Sequence, residues 1–252
     1  MKNSEVLSPD LVQESDLTAN LEVQHNSERD RVMFRLVEAG LEAVDRRYGP
    51  NGLRPQAYHN ADHARDVMDA AIQMADAAIA EGKITEAEKD LLVLAGCYHD
   101  IERDYESGAN EAASARNICV LMRESGQFSD QEAVRVYKMI MGTEVYFVDG
   151  VMNQSADPND LLSMILADAD LASLGKSSPF YWDRAMRYIK ELTGTTEPSN
   201  DEIVAFALDQ DSFLRHHEFY TDEAKVLFPY KQDNIRFTQQ MQRHYASQPV
   251  RG

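Results

Sequence analysis

Apolar residues recur every three or four positions along most of this chain, which is the spacing of one helix face. The first such run predicts a helix from Arg29 that ends at the turn segment 48–52. Later runs predict further helices in the segments 64–82, 85–100, 111–126, 129 onward, 161–166, 179–193, 198–216 and 221–246. No stretch alternates polar and apolar residues over a useful length. We therefore expect an all-α fold, a compact orthogonal bundle of helices with short connections.

Residues that favour helix starts support several of these boundaries. Thr85 and Ser129 are each followed three residues later by a glutamate, the capping-box pattern in which each side chain bonds the other residue's backbone N–H. Ser199 and Thr221 are expected N-caps with acidic residues close behind, because a side-chain oxygen there accepts a free N–H of the first turn.

The domain organisation follows from composition along the chain. Residues 1–27 are polar and acidic without sustained periodicity, so we expect a flexible N-terminal arm. Residues 28–252 contain no interior Pro-, Gly- or Ser-rich linker and are predicted to form one helical domain. Neither a bilayer-spanning apolar run nor a signal-peptide pattern is found. We expect a cytoplasmic protein in which Cys97 and Cys119 are buried, reduced thiols.

The charge limits the partners that the chain can have. Its formal net charge is -18 at pH 7, whereas nucleic acids and anionic membranes are bound through clustered Lys and Arg. We therefore expect no nucleic-acid and no membrane partner. A small phosphorylated substrate is still compatible where a metal ion or a few basic side chains reverse the local field. A homodimer is left open.

Histidines and aspartates form a spaced pattern on successive predicted helices. Two histidines lie four residues apart at a helix start, a His-Asp pair ends an apolar helix, and two aspartates follow another apolar run: His59, His63, His99, Asp100, Asp168 and Asp170. Imidazole and carboxylate can hold a divalent metal while leaving positions open for water and substrate. Each piece alone is weak, but the complete order predicts a metal site.

This order resembles the H…HD…D pattern of the HD-domain superfamily of metal-dependent phosphohydrolases, whose core is all-helical. The segment YHNADHARDV, residues 58–67, is also similar to the first motif of cyclic-nucleotide phosphodiesterases. The segments GANEAASA (108–115) and LADADLASLG (166–175) resemble a bacterial branch of uncharacterised HD hydrolases. The resemblance covers residues 30–225 or so, and its motifs specify the superfamily but not the substrate.

The resemblance implies a set of metal ligands. They would be His63, His99, Asp100 and Asp170, with Asp168 left open as the alternative to Asp170. The cofactor would be one divalent ion, and these ligand types do not choose among Mn, Mg, Fe, Co and Ni. No histidine occurs from Ile101 to Arg215, where many HD enzymes and the diiron oxygenases of this fold have further ligands. This difference argues against oxygenase chemistry and favours a single metal ion.

The resemblance also implies catalytic residues. In the phosphodiesterases, the position of His59 donates a proton to the leaving oxygen, a role that suits a side chain titrating near neutral pH. Glu111 is the second catalytic candidate because it lies in the segment that matches the NExxSA motif. Outside this set, Arg103 is a candidate for contact with a phosphate, but it is expected, like His216 and His217, to be solvated at the surface.

These observations lead to an expected function and one alternative. We expect a metal-dependent phosphohydrolase that cleaves a phosphate ester, with a nucleotide among the candidate substrates, through metal-activated water. The alternative is a catalytically weak regulatory module of the same fold that binds a metal ion or a nucleotide, which the missing accessory histidines motivate.

Overall fold

The computed structural model describes residues 27–104, 108–148 and 151–248. Within these residues, ten α-helices and one two-stranded sheet are found, which confirms the all-α fold class. The helices are α1 Glu28–Tyr48, α2 Ala61–Ala80, α3 Glu86–Tyr98, α4 Ala109–Ser125, α5 Asp130–Met141, α6 Leu161–Asp170, α7 Ser178–Thr193, α8 Asn200–His216, α9 Asp222–Leu227 and α10 Lys231–Ala246. The expected N-terminal arm, residues 1–27, lies outside the described residues except for Ser27, which caps α1.

Hydrogen bonds confirm the predicted helix starts. Glu88 N donates to Thr85 Oγ1 at 3.3 Å, and Thr85 N donates to Glu88 Oε2 at 2.8 Å, so both halves of the capping box are present. Ser129 and Ser199 begin α5 and α8 with the same pair of bonds. Thr221 caps α9 through its hydroxyl oxygen.

Two features differ from the sequence-based expectation. Where no strand was expected, residues 145–154 contain an antiparallel hairpin of β1 Val145–Val148 and β2 Val151–Gln154. Each strand has only four residues, which is too short for alternation to be recognised. The segment 221–246 is two helices and not one, because Pro229 supplies no N–H and disfavours helical geometry in the residue before it.

The apolar helix faces are buried in two hydrophobic clusters. The larger cluster contains residues of all six helices from α1 through α6. In it, α1 and α3 approach so closely that a Cβ on Gly40 would lie 2.6 Å from the ring of Tyr98. Cys97 and Cys119 are buried and free, as predicted.

A smaller cluster joins α7, α8 and α10. Residues of this smaller cluster, together with polar residues beside them, line a cavity of about 690 Å³. None of the described helices is both long and apolar enough to cross a membrane.

Candidate metal centre

Three helix ends bring four of the predicted residues to one point. His63 lies in the first turn of α2, His99 and Asp100 directly follow α3, and Asp170 is the last residue of α6. The Nε2 atoms of His63 and His99 are 3.2 Å apart. Nε2 of His63 lies 3.1 Å from Asp170 Oδ1 and 3.5 Å from Asp100 Oδ2. Nε2 of His99 lies 3.2 Å from the same Asp100 oxygen and 3.4 Å from that of Asp170.

These separations and donor types fit a divalent ion. Ligands held about 2.0–2.2 Å from one ion are roughly 3.0–3.5 Å from each other in tetrahedral or octahedral geometry, and the observed separations span 3.1–3.5 Å. Two carboxylates and two imidazole nitrogens facing one point concentrate negative charge there, which a cation would balance. His63, His99, Asp100 and Asp170 therefore have the spacing and chemistry of a metal-binding group.

A hydrogen bond outside this group orients His99. Its Nδ1 donates to the carbonyl oxygen of Gly96 at 2.8 Å, and this bond turns Nε2 toward the other three side chains. Both His63 and His99 are almost completely buried. Burial alone would lower the pKa of His99, but the charges and hydrogen bonds of Asp100 and Asp170 raise it well above its ordinary value. The site thus attracts positive charge strongly.

The two carboxylates of the site are stabilised in their charged form. For Asp170, burial opposes ionisation, but hydrogen bonds from His63 and His99 hold its pKa well below the usual range. Burial would also raise the pKa of Asp100, but the charge of Arg103 and the contacts with His99 outweigh this effect and lower the pKa well below the usual range. Ionised carboxylates are the form that binds a metal ion.

Asp168, the alternative to Asp170, lies outside this group. Its side chain is fully buried and accepts hydrogen bonds from the backbone N of Tyr220 at 2.9 Å and of Thr221 at 2.8 Å. The Thr221 hydroxyl donates to it at 2.7 Å. Asp168 therefore fixes the start of α9, and of the two aspartates it is Asp170 that meets the histidines.

His59 is held by a residue that the sequence analysis missed. Glu191 Oε1 lies 2.5 Å from Nδ1 of His59, while Oε2 accepts from the backbone N of both Tyr58 and His59 at 2.9 Å. Burial raises the pKa of Glu191, but the bonds with His59 outweigh it and lower the pKa to about 2. Nothing in the local sequence marks Glu191, which lies 132 positions away from His59.

Because Nδ1 of His59 contacts Glu191, the other ring nitrogen, Nε2, is left to interact with groups in the cavity that His59 lines. His59 lies beside the metal-binding group, close enough that its ligand atom is within 4.8 Å of those of His63 and Asp100. Burial and then the charge of Arg103 lower the pKa of His59, and Glu191 opposes this shift. The side chain is thus oriented for proton transfer at the cavity wall.

Arg103 lies in the cavity wall, so the expectation that it is a solvated surface residue is wrong. Its Nη1 donates to Asp100 Oδ1 at 2.8 Å, on the side of that carboxylate away from the histidines. The backbone N of Arg103 donates to the hydroxyl of Tyr48 at 2.8 Å. Its buried Nε has no hydrogen-bond partner among the described residues.

Glu111 also lines the cavity but is not part of the metal-binding group. It lies in the first turn of α4, and its Oε2 accepts from the backbone N of Gly108 at 2.6 Å. Burial raises its pKa, although backbone N–H groups oppose the shift. The contacts give Glu111 a helix-capping role, and its catalytic role stays a prediction.

The two histidines at the end of α8 have different environments. His216 is exposed as expected, but His217 is only 2% exposed, so its expected surface position is wrong. Its ring lies 4.7 Å from that of Phe219, and neither ring nitrogen has a partner among the described residues. Burial, aided by the charge of Lys231, lowers the pKa of His217 to about 3. It packs in the core because the chain turns inward after α8.

Aromatic side chains form much of the remaining cavity wall. Tyr181 and Tyr188 come from α7, Phe206 and Phe213 from α8, and Phe147 from the hairpin. Tyr188 and Phe206 are in edge contact, with ring centroids 6.1 Å apart. The cavity therefore combines a charged, metal-binding part with an aromatic part.

Comparisons with known proteins do not assign the chain to a family: no family model matches it, and no curated protein matches it.

Proposed function

We propose that this protein is a metal-dependent phosphohydrolase of the HD-domain type that hydrolyses a phosphate ester with one divalent ion. The observation that carries the proposal is the convergence of His63, His99, Asp100 and Asp170 at one point, with Asp100 and Asp170 in the lining of a cavity. The same four residues form the H…HD…D order that resembles the superfamily. His59 and Arg103 lie beside them, so groups for metal binding, proton transfer and anion binding adjoin one another.

In this proposal, the chain's own residues hold the reacting groups. His63, His99, Asp100 and Asp170 would bind the ion and fix its position. When bound, the ion supplies an acidified water as nucleophile and polarises a phosphoryl oxygen. Arg103 would keep one oxygen of Asp100 engaged, so that the other oxygen faces the ion.

His59 would donate a proton to the leaving oxygen of the ester. In the free site, burial and Arg103 disfavour its protonated form. A phosphate dianion beside Arg103 would cancel that positive charge and favour the imidazolium, while Glu191 accepts from Nδ1 and stabilises it. The proton would then be on Nε2 where the leaving group is released. General acids of this kind contribute about 10²–10⁴-fold in rate.

A kinetic experiment tests the proposal. The metal-loaded full chain is assayed with phosphomonoesters, cyclic nucleotides and nucleoside triphosphates in the presence of Mn²⁺, Co²⁺ or Ni²⁺. We expect turnover that His63→Ala and Asp100→Ala abolish and that His59→Asn reduces by about 10²–10⁴-fold for alkyl esters. The effect of His59→Asn should be far smaller for p-nitrophenyl phosphate, whose leaving group needs no proton. The absence of turnover with every substrate, or turnover unaffected by these substitutions, would refute the hydrolase.

The second candidate is a regulatory module that binds a metal ion or a nucleotide without useful turnover. The lack of any histidine between Ile101 and Arg215 favours it, because the site then has few protein ligands. Tight metal binding and nucleotide binding without hydrolysis would support this candidate over the enzyme.

A further inference from the structure

The charges that line the cavity limit how many phosphate groups a ligand can carry. Two basic side chains, Arg103 and Arg184, face four acidic ones in the described lining. Arg184 is already engaged, since its Nε donates to Asp66 and its Nη1 to Asp183, both at 2.6 Å. Arg103, in contrast, has a buried Nε without a partner among the described residues.

The guanidinium group of Arg103 still has N–H groups that could bind an anion. Only its Nη1 is bonded to Asp100, and its Nε is buried without a partner. A buried N–H with no acceptor destabilises the protein, and a ligand oxygen at this position would accept its hydrogen bond. Guanidinium groups bind phosphate oxygens through two N–H groups at once. A phosphate placed here would also lie beside the metal-binding group, because Arg103 contacts Asp100 of that group.

The rest of the wall indicates what is attached to that phosphate. Tyr188, Phe206 and Phe213 present aromatic faces or edges to the cavity, and Tyr188 and Phe206 belong to or adjoin the smaller hydrophobic cluster. Aromatic walls favour planar, uncharged ring systems. On the same helix as the two phenylalanines, Asp209 lines the cavity with a carboxylate, which would repel additional phosphate groups.

We propose that the ligand is a phosphate monoester that contains a planar aromatic ring system, such as a nucleoside monophosphate, and that Arg103 binds its phosphate. This proposal rests on the proposed function, because it places the ester phosphate at the metal-binding group. It assigns Arg103 to substrate binding in addition to its contact with Asp100. It also predicts that a single phosphate is preferred over a triphosphate.

Calorimetry on the metal-loaded full chain tests the ligand class without relying on turnover. The probes are inorganic phosphate, phenyl phosphate, glycerol 3-phosphate, adenosine monophosphate and adenosine triphosphate, at a fixed concentration of free metal ion. Phenyl phosphate should bind at least tenfold more tightly than glycerol 3-phosphate, and the monophosphate more tightly than the triphosphate. Phe213→Leu should weaken phenyl phosphate binding and leave glycerol 3-phosphate unchanged.

Variants of Arg103 separate phosphate binding from the positioning of Asp100. Arg103→Gln should raise the Kd of inorganic phosphate at least tenfold at saturating metal, while Arg103→Lys recovers part of it. Arg35→Gln, at an exposed position outside the cavity lining, is the matched control and should bind phosphate as the wild type does. If Arg103→Gln weakens only metal binding, and phosphate binds normally once metal is saturating, the assignment of Arg103 is overturned.

The outcomes also distinguish this inference from the proposed hydrolase. Binding of phenyl phosphate that depends on Arg103, without hydrolysis of any ester, would refute the hydrolase and support the ligand class. Hydrolysis with a clear preference for triphosphates or for esters without an aromatic ring would support the hydrolase and overturn the ligand class.

Discussion

Asp168 and Asp170 lie two residues apart, yet the structure gives them separate roles that substitution should resolve. Asp168→Ala removes the acceptor of two backbone N–H groups, those of Tyr220 and Thr221, and of the Thr221 hydroxyl. Each buried donor left without an acceptor costs about 1–3 kcal/mol. Burial raises the pKa of Asp168 although these bonds oppose it, so removing the carboxylate also relieves a desolvation cost. We expect a net loss of about 2–4 kcal/mol, since two N–H groups are orphaned and the hydroxyl can rotate.

Thermal unfolding with and without metal distinguishes the two aspartates. For a chain of this size, a loss of about 2–4 kcal/mol lowers Tm by roughly 5–15 °C. A metal ion at a hundred times its Kd stabilises the native state by about 2.7 kcal/mol. Asp168→Ala should have a lower Tm without metal but should still be stabilised when metal binds. Asp170→Ala should not be stabilised by metal. Asp130→Ala, at an exposed first-turn position of α5, is the control for both. The reverse result, with the stabilisation by metal lost in Asp168→Ala and kept in Asp170→Ala, would refute the assignment.

Three further predictions concern individual contacts. Glu191→Gln removes the carboxylate that raises the pKa of His59, so the alkaline limb of the kcat–pH profile should move to lower pH; a limb that stays in place would contradict the role of Glu191. His217→Leu removes two unpartnered ring nitrogens and should raise the free energy of unfolding by about 1–2 kcal/mol at pH 7. The folded-state pKa of His217 is lowered to about 3, whereas the pKa of histidine in the unfolded chain is about 6.5. As the pH falls below about 6.5, His217 is therefore protonated in the unfolded chain before it is protonated in the folded one. The free energy of unfolding of the wild type should fall by about 1.4 kcal/mol per pH unit because of this residue. Urea unfolding at pH 7 and pH 5 checks both effects, and equal pH slopes in variant and wild type would contradict them. Gly40→Ala should destabilise the fold by about 1–3 kcal/mol, because its Cβ would lie 2.6 Å from Tyr98, and an unchanged Tm would contradict the close approach of α1 and α3.

Helix starts and the metal-binding group could be predicted because their signals are local or ordered along the chain. The bond pairs of Thr85 and Ser129 span three residues, so the sequence contains both partners. His63, His99, Asp100 and Asp170 are predicted by the resemblance of their order to the H…HD…D pattern, and the fold brings them together.

Other parts of the site depend on tertiary contacts that the sequence does not display. Glu191 reaches His59 across 132 positions, and its helix otherwise has an ordinary amphipathic pattern. Arg103 was expected at the surface because most arginines are solvated, but its neighbour Asp100 draws it into the cavity wall. Asp168 and Asp170 have the same residue type and nearly the same position, so only the side of α6 that each faces could separate them.

Metal stoichiometry tests the central claim most directly. Equilibrium dialysis of the purified full chain against Mn²⁺, Co²⁺ or Ni²⁺, followed by elemental analysis, should give one ion per wild-type chain and one per Asp168→Ala chain. His63→Ala, Asp100→Ala and Asp170→Ala should each lose the ion at the same free metal concentration. A wild-type chain without bound metal, or full occupancy in the Asp100→Ala chain, would contradict the account.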